Sequence, residues 1–287
     1  MKAIYKRELS AHLRGLIGWV AIAVMLFLVG IYFTAYNLQS QIPYFGYVLS
    51  GISFVLIFIC PALTMRSFAE ERRQRTDQLW MTAPVSLTEV TLGKYFALLT
   101  LFAIPVGVCC LYPLVLSQYG TVPMLETYST IFAFFLLGAA CISIGVFFSS
   151  ITENQVIAFV ATAIVLMVSY LMEGLKSFAT SGSQAGLLLF SAAALAAGAL
   201  AWYLAKSFVL GAAVFTIMEL FLAGATFFRS GAVSTAFDSV LDALSLFSRF
   251  NGFLNGTFDL TAYFYLFSVA ALFQFFTVQV LEKRRWS

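Results

Sequence analysis

TMRSFAEERRQRTDQLWMTAPVSLTEVTLGK, residues 64–94, is the polar stretch around which the chain is organised. It holds 5 of the 16 Lys and Arg residues and 4 of the 13 Asp and Glu residues. Apolar runs precede and follow it, at 44–63 and 95–116. A compact charged piece held between two apolar runs is suited to docking a soluble partner. We refer to residues 64–94 as the polar segment.

The remaining composition indicates a membrane protein. Hydrophobic residues make up 61% of the chain and charged residues only 10%, with a mean hydropathy of +0.94. Soluble domains carry about 25% charged residues. A helical membrane span needs roughly 20 apolar residues, and eight runs are candidates: 16–36, 44–63, 95–116, 128–149, 156–172, 185–204, 208–228 and 260–281.

Continuous apolar runs favour helices over barrel strands, in which polar and apolar residues alternate. The predicted fold class is therefore all-α: a polytopic helical membrane protein with about eight, and at least six, transmembrane helices in a single domain over 1–287. Lys and Arg are enriched in cytoplasmic loops. Eight spans would place 13 of the 16 basic residues on the side of the N-terminus, so both termini and the polar segment are predicted to be cytoplasmic.

Two further amphipathic helices are predicted outside the spans. Residues 1–15 carry Ile4, Leu9 and Leu13 on one side of a helix, with basic residues largely elsewhere, which predicts an interfacial helix. The alternative is a basic flank without that role, and His12 is expected to be solvated. Residues 229–259 have apolar residues at a spacing of three to four, which predicts an amphipathic segment on the outer face.

The polar segment itself predicts two short helices. The first covers 68–80 and would be supported by an i,i+4 pair between Glu71 and Arg75. Pro84 would break the helix. Ser86 and Glu89 form a capping box, so a second helix begins there and enters the third span. Before the segment, Pro61 is expected to kink the second span.

No catalytic site is recognisable in the sequence. Phosphate-loop, HExxH and GxSxG motifs are absent, and the single histidine argues against a Ser/His/Asp triad. The four cysteines lie in apolar runs without metal-ligand spacing, so no metal site is predicted. The net charge of +3 comes from residues at span ends and does not indicate nucleic-acid binding. Glu219, near the middle of the seventh apolar run, is a possible intramembrane polar site.

The polar segment resembles the signature loop of type-2 ABC transporter permeases. The residues that carry the resemblance are Glu70, Glu71, Arg72, Thr76, Leu79, Pro84, Val85, Ser86, Gly93 and Lys94. Residues 1–9 and the turn at 149–155 are similar to the opening and the fourth-span turn of that family. The region from Arg249 to the basic tail resembles its gliding-motility-type subgroup.

The resemblance implies an exporter-type permease subunit in a bacterial inner membrane. A separate cytoplasmic ATPase would bind ATP and Mg, and a second permease would complete a homodimer or heterodimer. The ATPase-coupling residues would be Glu70, Glu71, Arg72, Arg73, Thr76, Leu79 and Trp80, followed by Pro84, Ser86, Glu89, Gly93 and Lys94 in the second helix. Lys6, Arg7 and Glu8 of the N-terminal helix would also touch the ATPase.

Two other functions remain open at this point. The chain could be a membrane anchor that recruits an ATPase to an envelope or motility complex without transporting anything. It could also be a secondary transporter that uses Glu219 as an ion or proton site, although no internal inverted repeat supports this.

Overall fold

A computed structural model of the chain describes residues 1–78, 80, 85–181, 191, 194–195, 197–199, 201–202, 208–227, 245–255 and 259–285. These residues are helical or lie in turns and contain no strand, which confirms the all-α prediction. The chain divides into two units, the first formed by Met1–Phe159 and Phe250–Ser287 and the second by Val160–Arg249.

The described residues form the following helices, in chain order. They are α1 (Lys2–Arg14), α2 (Leu16–Phe33, continued by a π-helix Thr34–Gln39), α3 (Gly46–Ser53), α4 (Leu56–Thr64), α5 (Ala69–Arg73), α6 (Leu87–Cys109), α7 (Tyr112–Leu116), α8 (Met124–Ile151), α9 (Gln155–Ser181), α10 (Phe208–Phe227), α11 (Leu246–Asn251, continued by a 3-10 turn Gly252–Asn255) and α12 (Leu260–Arg285).

Five stretches of the described chain are helical, apolar and long enough to cross a membrane. They are Leu16–Gln39, Leu87–Leu116, Met124–Ile151, Gln155–Met172 and Leu260–Arg285. The pair of Gly46–Ser53 and Leu56–Arg73, bent by 62°, is a sixth candidate. Six of the eight predicted spans thus have a counterpart. Of the other two, 185–204 lies largely outside the described residues, and α10 contains a shorter apolar stretch, Gly211–Phe221.

The bend in the second span is not where the sequence predicts it. Pro61 lies inside α4 without interrupting it, and the chain turns instead at Phe54 and Val55. There the backbone N–H of Val55 donates to the carbonyl of Ile52, three residues back. Such bonds tighten the helix locally, so the axis changes direction before the proline is reached.

Small residues let neighbouring helices approach α8 closely, as the sequence suggests. A methyl group built on Gly145 would overlap the hydroxyl of Thr64, at the end of α4. At Gly138 it would overlap the ring of Phe102 in α6. The helices α4 and α6, on either side of the polar segment, therefore both pack closely against α8.

The second unit has its own core. Met172, Ala194, Ala197 and Met218 are buried together, with Phe215 among the side chains packed around them. The backbone N–H of Leu246 donates to the hydroxyl of Ser169 at 3.0 Å, which joins the start of α11 to α9 within this unit. Most of the predicted outer amphipathic segment, 229–259, lies outside the described residues.

Candidate functional site

Lys94 is the centre of the candidate site. The helix that carries it, α6, begins after Ser86, whose hydroxyl accepts the backbone N–H of Glu89 at 3.3 Å. This is one half of the predicted capping box, since the Glu89 carboxylate contacts the N-terminal ammonium of Met1 at 3.3 Å. Two turns later the Lys94 side chain is only 2% exposed. Its ammonium lies 3.1 Å from the carboxylate of Glu8 and 3.0 Å from that of Glu71.

The remaining contacts of Lys94 satisfy its charge completely. Its ammonium donates to the carbonyl of Ser67 at 2.7 Å and lies 5.0 Å from the centre of the Phe68 ring. On the open side, the guanidinium of Arg7 contacts Glu8 at 3.1 Å and Glu71 at 2.6 Å. A buried ion pair is favourable only when the partners are also hydrogen-bonded. We call Lys94, Glu8, Glu71 and Arg7 the Lys94 cluster.

The electrostatics of the cluster favour ionised carboxylates. Burial opposes the charge on Glu8, but Lys94 and Arg7 outweigh burial and hold the pKa of Glu8 below its ordinary value. Glu71 also accepts a hydrogen bond from the indole of Trp80 at 3.0 Å, and the Trp80 ring stands edge-on to Phe68. The cluster therefore joins α1, the polar segment and the third span in one connected set of charges.

A glycine allows α1 to reach this position. A methyl group on Gly93 would lie 3.2 Å from the side chain of Ile4, so the absence of a side chain lets α1 lie directly on α6. Two turns further along α6, the hydroxyls of Tyr5 and Thr100 are 3.0 Å apart. The side of α1 that faces the protein thus carries Ile4, Tyr5 and Glu8, while Lys6 is exposed.

The helix α5 is capped by a residue from another helix. The backbone N–H groups of Phe68 and Ala69 both donate to the hydroxyl of Ser149, at 3.0 and 3.1 Å. The first N–H groups of a helix have no partner within it. Ser149, in the last turn of α8, supplies the acceptor that α5 lacks in its own sequence.

A second group of charges lies on the α8 side of the polar segment. Arg72 donates to the carbonyl of Ser150 and lies 3.8 Å from Glu153. Arg284, near the end of α12, lies 3.3 Å from Glu153 and 3.6 Å from Asp77. We call Arg72, Asp77, Glu153 and Arg284 the Arg284 cluster. It joins the polar segment to the turn after α8 and to the last span.

The predicted helix 68–80 is interrupted. The helix α5 ends at Arg73, and Arg75 has a φ of +57°, in the left-handed region. The predicted Glu71–Arg75 pair is therefore not formed, because the chain reverses before Arg75 and Glu71 is already bound to Lys94 and Arg7. Beyond the turn, Gln78 and Trp80 are helical again.

A cleft of about 420 Å³ lies between α1 and the polar segment. His12 is one of its lining residues, together with Arg66, Glu70 and members of the Lys94 cluster. His12 is less solvated than predicted, because it is half-buried in this cleft, and burial lowers the pKa of its imidazole.

The structure divides the predicted coupling residues into two groups. Glu71, Arg72 and Trp80 are partly buried and engaged within the chain, whereas Arg73 and Thr76 are exposed. Glu70 is intermediate, 4.0 Å from Arg66. Leu79 and Pro84 lie outside the described residues.

Four residues of these clusters were not predicted from the sequence. Asp77, Ser149, Glu153 and Arg284 were not among the predicted coupling residues. A signal existed for two of them, because the turn at 149–155 resembles a family motif. Nothing in the sequence paired that turn with the basic tail.

Glu219 lies on α10 in the second unit, apart in sequence from these clusters. Its Oε1 atom is buried and has no hydrogen-bond partner among the described residues. The nearby hydroxyl of Thr216 donates to the carbonyls of Ala212 and Ala213 and so does not satisfy it.

The model for the ABC-2 family transporter protein matches residues 29–184, more than half of the chain and all of the polar segment. The chain belongs to the ABC-2 transporter family. No curated protein matches it. As a member of this family, it is a multi-pass membrane permease of an ABC transporter.

Proposed function

We propose that this ABC-2 permease is the membrane subunit of an ATP-driven exporter whose cytoplasmic ATPase docks on the polar segment. The observation that carries the proposal is the Lys94 cluster. It connects the exposed part of the polar segment to α1 and to the span-length helix α6 through contacts of 2.6–3.1 Å. A movement of the segment is therefore transmitted to a membrane span.

The two clusters explain how such a movement would spread. Removing one partner of a buried ion pair leaves an uncompensated charge, which costs about 3–5 kcal/mol, so the Lys94 cluster moves as one body. On the other flank, Arg284 carries the displacement of Asp77 to α12, and Ser149 carries that of α5 to α8. A push on the polar segment thus reaches three of the span-length helices together.

The other elements of the proposal come from the family and from the charge pattern. ATP and Mg are bound by the partner ATPase, and a second permease, identical or different, completes the membrane domain. Both termini are cytoplasmic in a bacterial inner membrane, and the chain falls in the gliding-motility-type subgroup. Nucleic acid is not a partner. The N-terminal residues Lys6, Arg7 and Glu8 flank the docking surface.

The test is purification of the full-length chain from native membranes in a mild detergent. We expect a nucleotide-hydrolysing subunit to be recovered with it, and we expect Lys94→Met to retain that subunit while ATP hydrolysis loses its response to the permease. Recovery of the chain without any ATPase would contradict the proposal. Unchanged coupling in a folded Lys94→Met variant would remove the assigned transmission route.

One observation favours a second function. The Oε1 atom of Glu219, which has no hydrogen-bond partner among the described residues, would bind a cation or a proton in a secondary transporter. Uptake driven by an ion gradient without ATP, and abolished by Glu219→Gln, would support that function.

The non-transporting anchor predicts instead that the ATPase binds the permease while no substrate crosses sealed vesicles on ATP addition.

A further inference from the structure

The turn that ends α5 has the hydrogen bonds of a Schellman motif. The backbone N–H of Thr76 donates to the carbonyl of Glu71 at 2.9 Å, and that of Arg75 donates to Arg72 at 3.1 Å. Such a motif places one residue in the left-handed conformation, usually glycine. Here that residue is Arg75, with a φ of +57°. We call Arg73, Gln74, Arg75 and Thr76 the exposed tip.

An arginine at this position is unfavourable for the isolated chain. Its Cβ crowds the following carbonyl in the left-handed conformation, and glycine avoids that strain. Strained backbone conformations that persist are concentrated at functional sites. The conformation of Arg75 therefore makes its guanidinium a candidate for a functional contact.

The charged side chains of α5 and of the turn after it point in different directions. Glu71 is turned inward to Lys94, and Arg72 is turned to Ser150 and Glu153. Arg73 and Arg75 are exposed and form no ion pair with any residue that the structure describes. A sequence with mixed charges thus presents a basic surface at its tip.

We propose that Arg73 and Arg75 anchor the ATPase by binding carboxylates on an acidic docking surface of that subunit. This inference rests on the proposed function and specifies the chemistry of the partner. Guanidinium groups bind carboxylates through two parallel hydrogen bonds, which fixes orientation as well as position. The turn presents both arginines on one short loop, and the firmly held helix behind it limits their movement.

The experiment compares ATPase binding by the wild-type permease with binding by Arg75→Gly. Glycine is the residue that the turn prefers, so this variant keeps the backbone and removes only the charged side chain. We expect its thermal stability to equal or exceed that of the wild type and its affinity for the ATPase to fall about tenfold, the effect of losing a charged hydrogen bond. Arg285→Gln, an exposed arginine in the last turn of α12, is the matched control and should bind normally.

Salt provides a second measurement. The wild-type affinity should fall as salt rises, and the Arg73→Gln/Arg75→Gly double variant should show a weaker dependence. Normal ATPase binding by Arg75→Gly, or an unchanged salt dependence in the double variant, would overturn the inference and leave the proposed function intact. Failure of the wild-type chain to bind any ATPase would overturn both.

Discussion

The Lys94 cluster and the Arg284 cluster hold opposite flanks of the same polar segment, and they differ in burial and in distance. Lys94 is 2% exposed, and the ion pairs of its cluster measure 2.6–3.1 Å. In the Arg284 cluster the pairs measure 3.3–3.8 Å; Asp77 is 7% exposed, but Arg284 is 32% and Glu153 63% exposed. The first cluster joins the segment to α6 and the second joins it to α12.

This difference indicates different mechanical roles. Solvent-exposed ion pairs contribute about 0–1 kcal/mol, whereas breaking a buried pair costs several times more. The polar segment is therefore attached firmly to α6, whereas its ion pairs with α12 are weaker and can rearrange. During a transport cycle we expect the Arg284 cluster to rearrange first, while the Lys94 cluster stays intact. The following substitutions test that ranking, from the largest expected effect to the smallest.

Lys94→Met should produce the largest loss of stability. The variant fills similar space but leaves Glu8 and Glu71 partly buried with only Arg7 to compensate them. We expect a loss of about 3–5 kcal/mol, visible as a lower midpoint when the detergent-solubilised protein is heated and its folded fraction is measured by size-exclusion chromatography. Arg7→Gln is the control, because Arg7 contacts the same carboxylates but is 64% exposed. Equal effects of the two substitutions would show that burial is not what distinguishes the cluster.

The sequence predicted the elements of this site better than their arrangement. Apolar runs and capping chemistry are local, so the spans at 95–116 and 260–281 and the cap at Ser86 could be found from neighbouring residues alone. The partners of Glu71 could not. An i,i+4 arginine was the nearest candidate, but Lys94, distant in sequence, is nearer in space. Which charges face inward depends on helix packing, which one sequence does not reveal.

Ser149→Ala tests the α8 side of the polar segment. The substitution leaves the buried N–H groups of Phe68 and Ala69 without an acceptor, and loss of a helix cap costs about 1 kcal/mol or somewhat more. Ser143→Ala is matched in burial and helix, but the Ser143 hydroxyl donates to Ala140 in its own helix. We expect a clear decrease in thermal stability for Ser149→Ala and little change for Ser143→Ala. The reverse order would exclude the cap across helices.

A double-mutant cycle on Asp77 and Arg284 measures the weaker cluster directly. We expect Asp77→Asn and Arg284→Gln to show a coupling energy of about 1 kcal/mol, because the pair is 3.6 Å apart and Arg284 is 32% exposed, although Asp77 is only 7% exposed. The same cycle on Glu8→Gln and Lys94→Met should give a larger value. Thermal unfolding of the single and double variants supplies both numbers. A larger coupling energy for Asp77 and Arg284 than for Glu8 and Lys94 would show that the Arg284 cluster, not the Lys94 cluster, is the firmer attachment.

Glu8 is expected to change the stability of the protein with pH by the smallest amount near neutrality, and the direction of its effect in acid is defined. The pKa of Glu8 is lowered in the folded protein, so the folded state favours the carboxylate more than the unfolded chain does. Its contribution to stability is complete above the ordinary value of 4.5 and is lost as the pH falls through the lowered value. Stability should therefore stay level between about pH 6 and 8 with respect to this group. Under acid conditions Glu8→Gln should lose less stability than the wild type does. If the wild type and Glu8→Gln lose the same amount of stability in acid, another carboxylate is responsible. The charge on Glu8 then does not stabilise the Lys94 cluster.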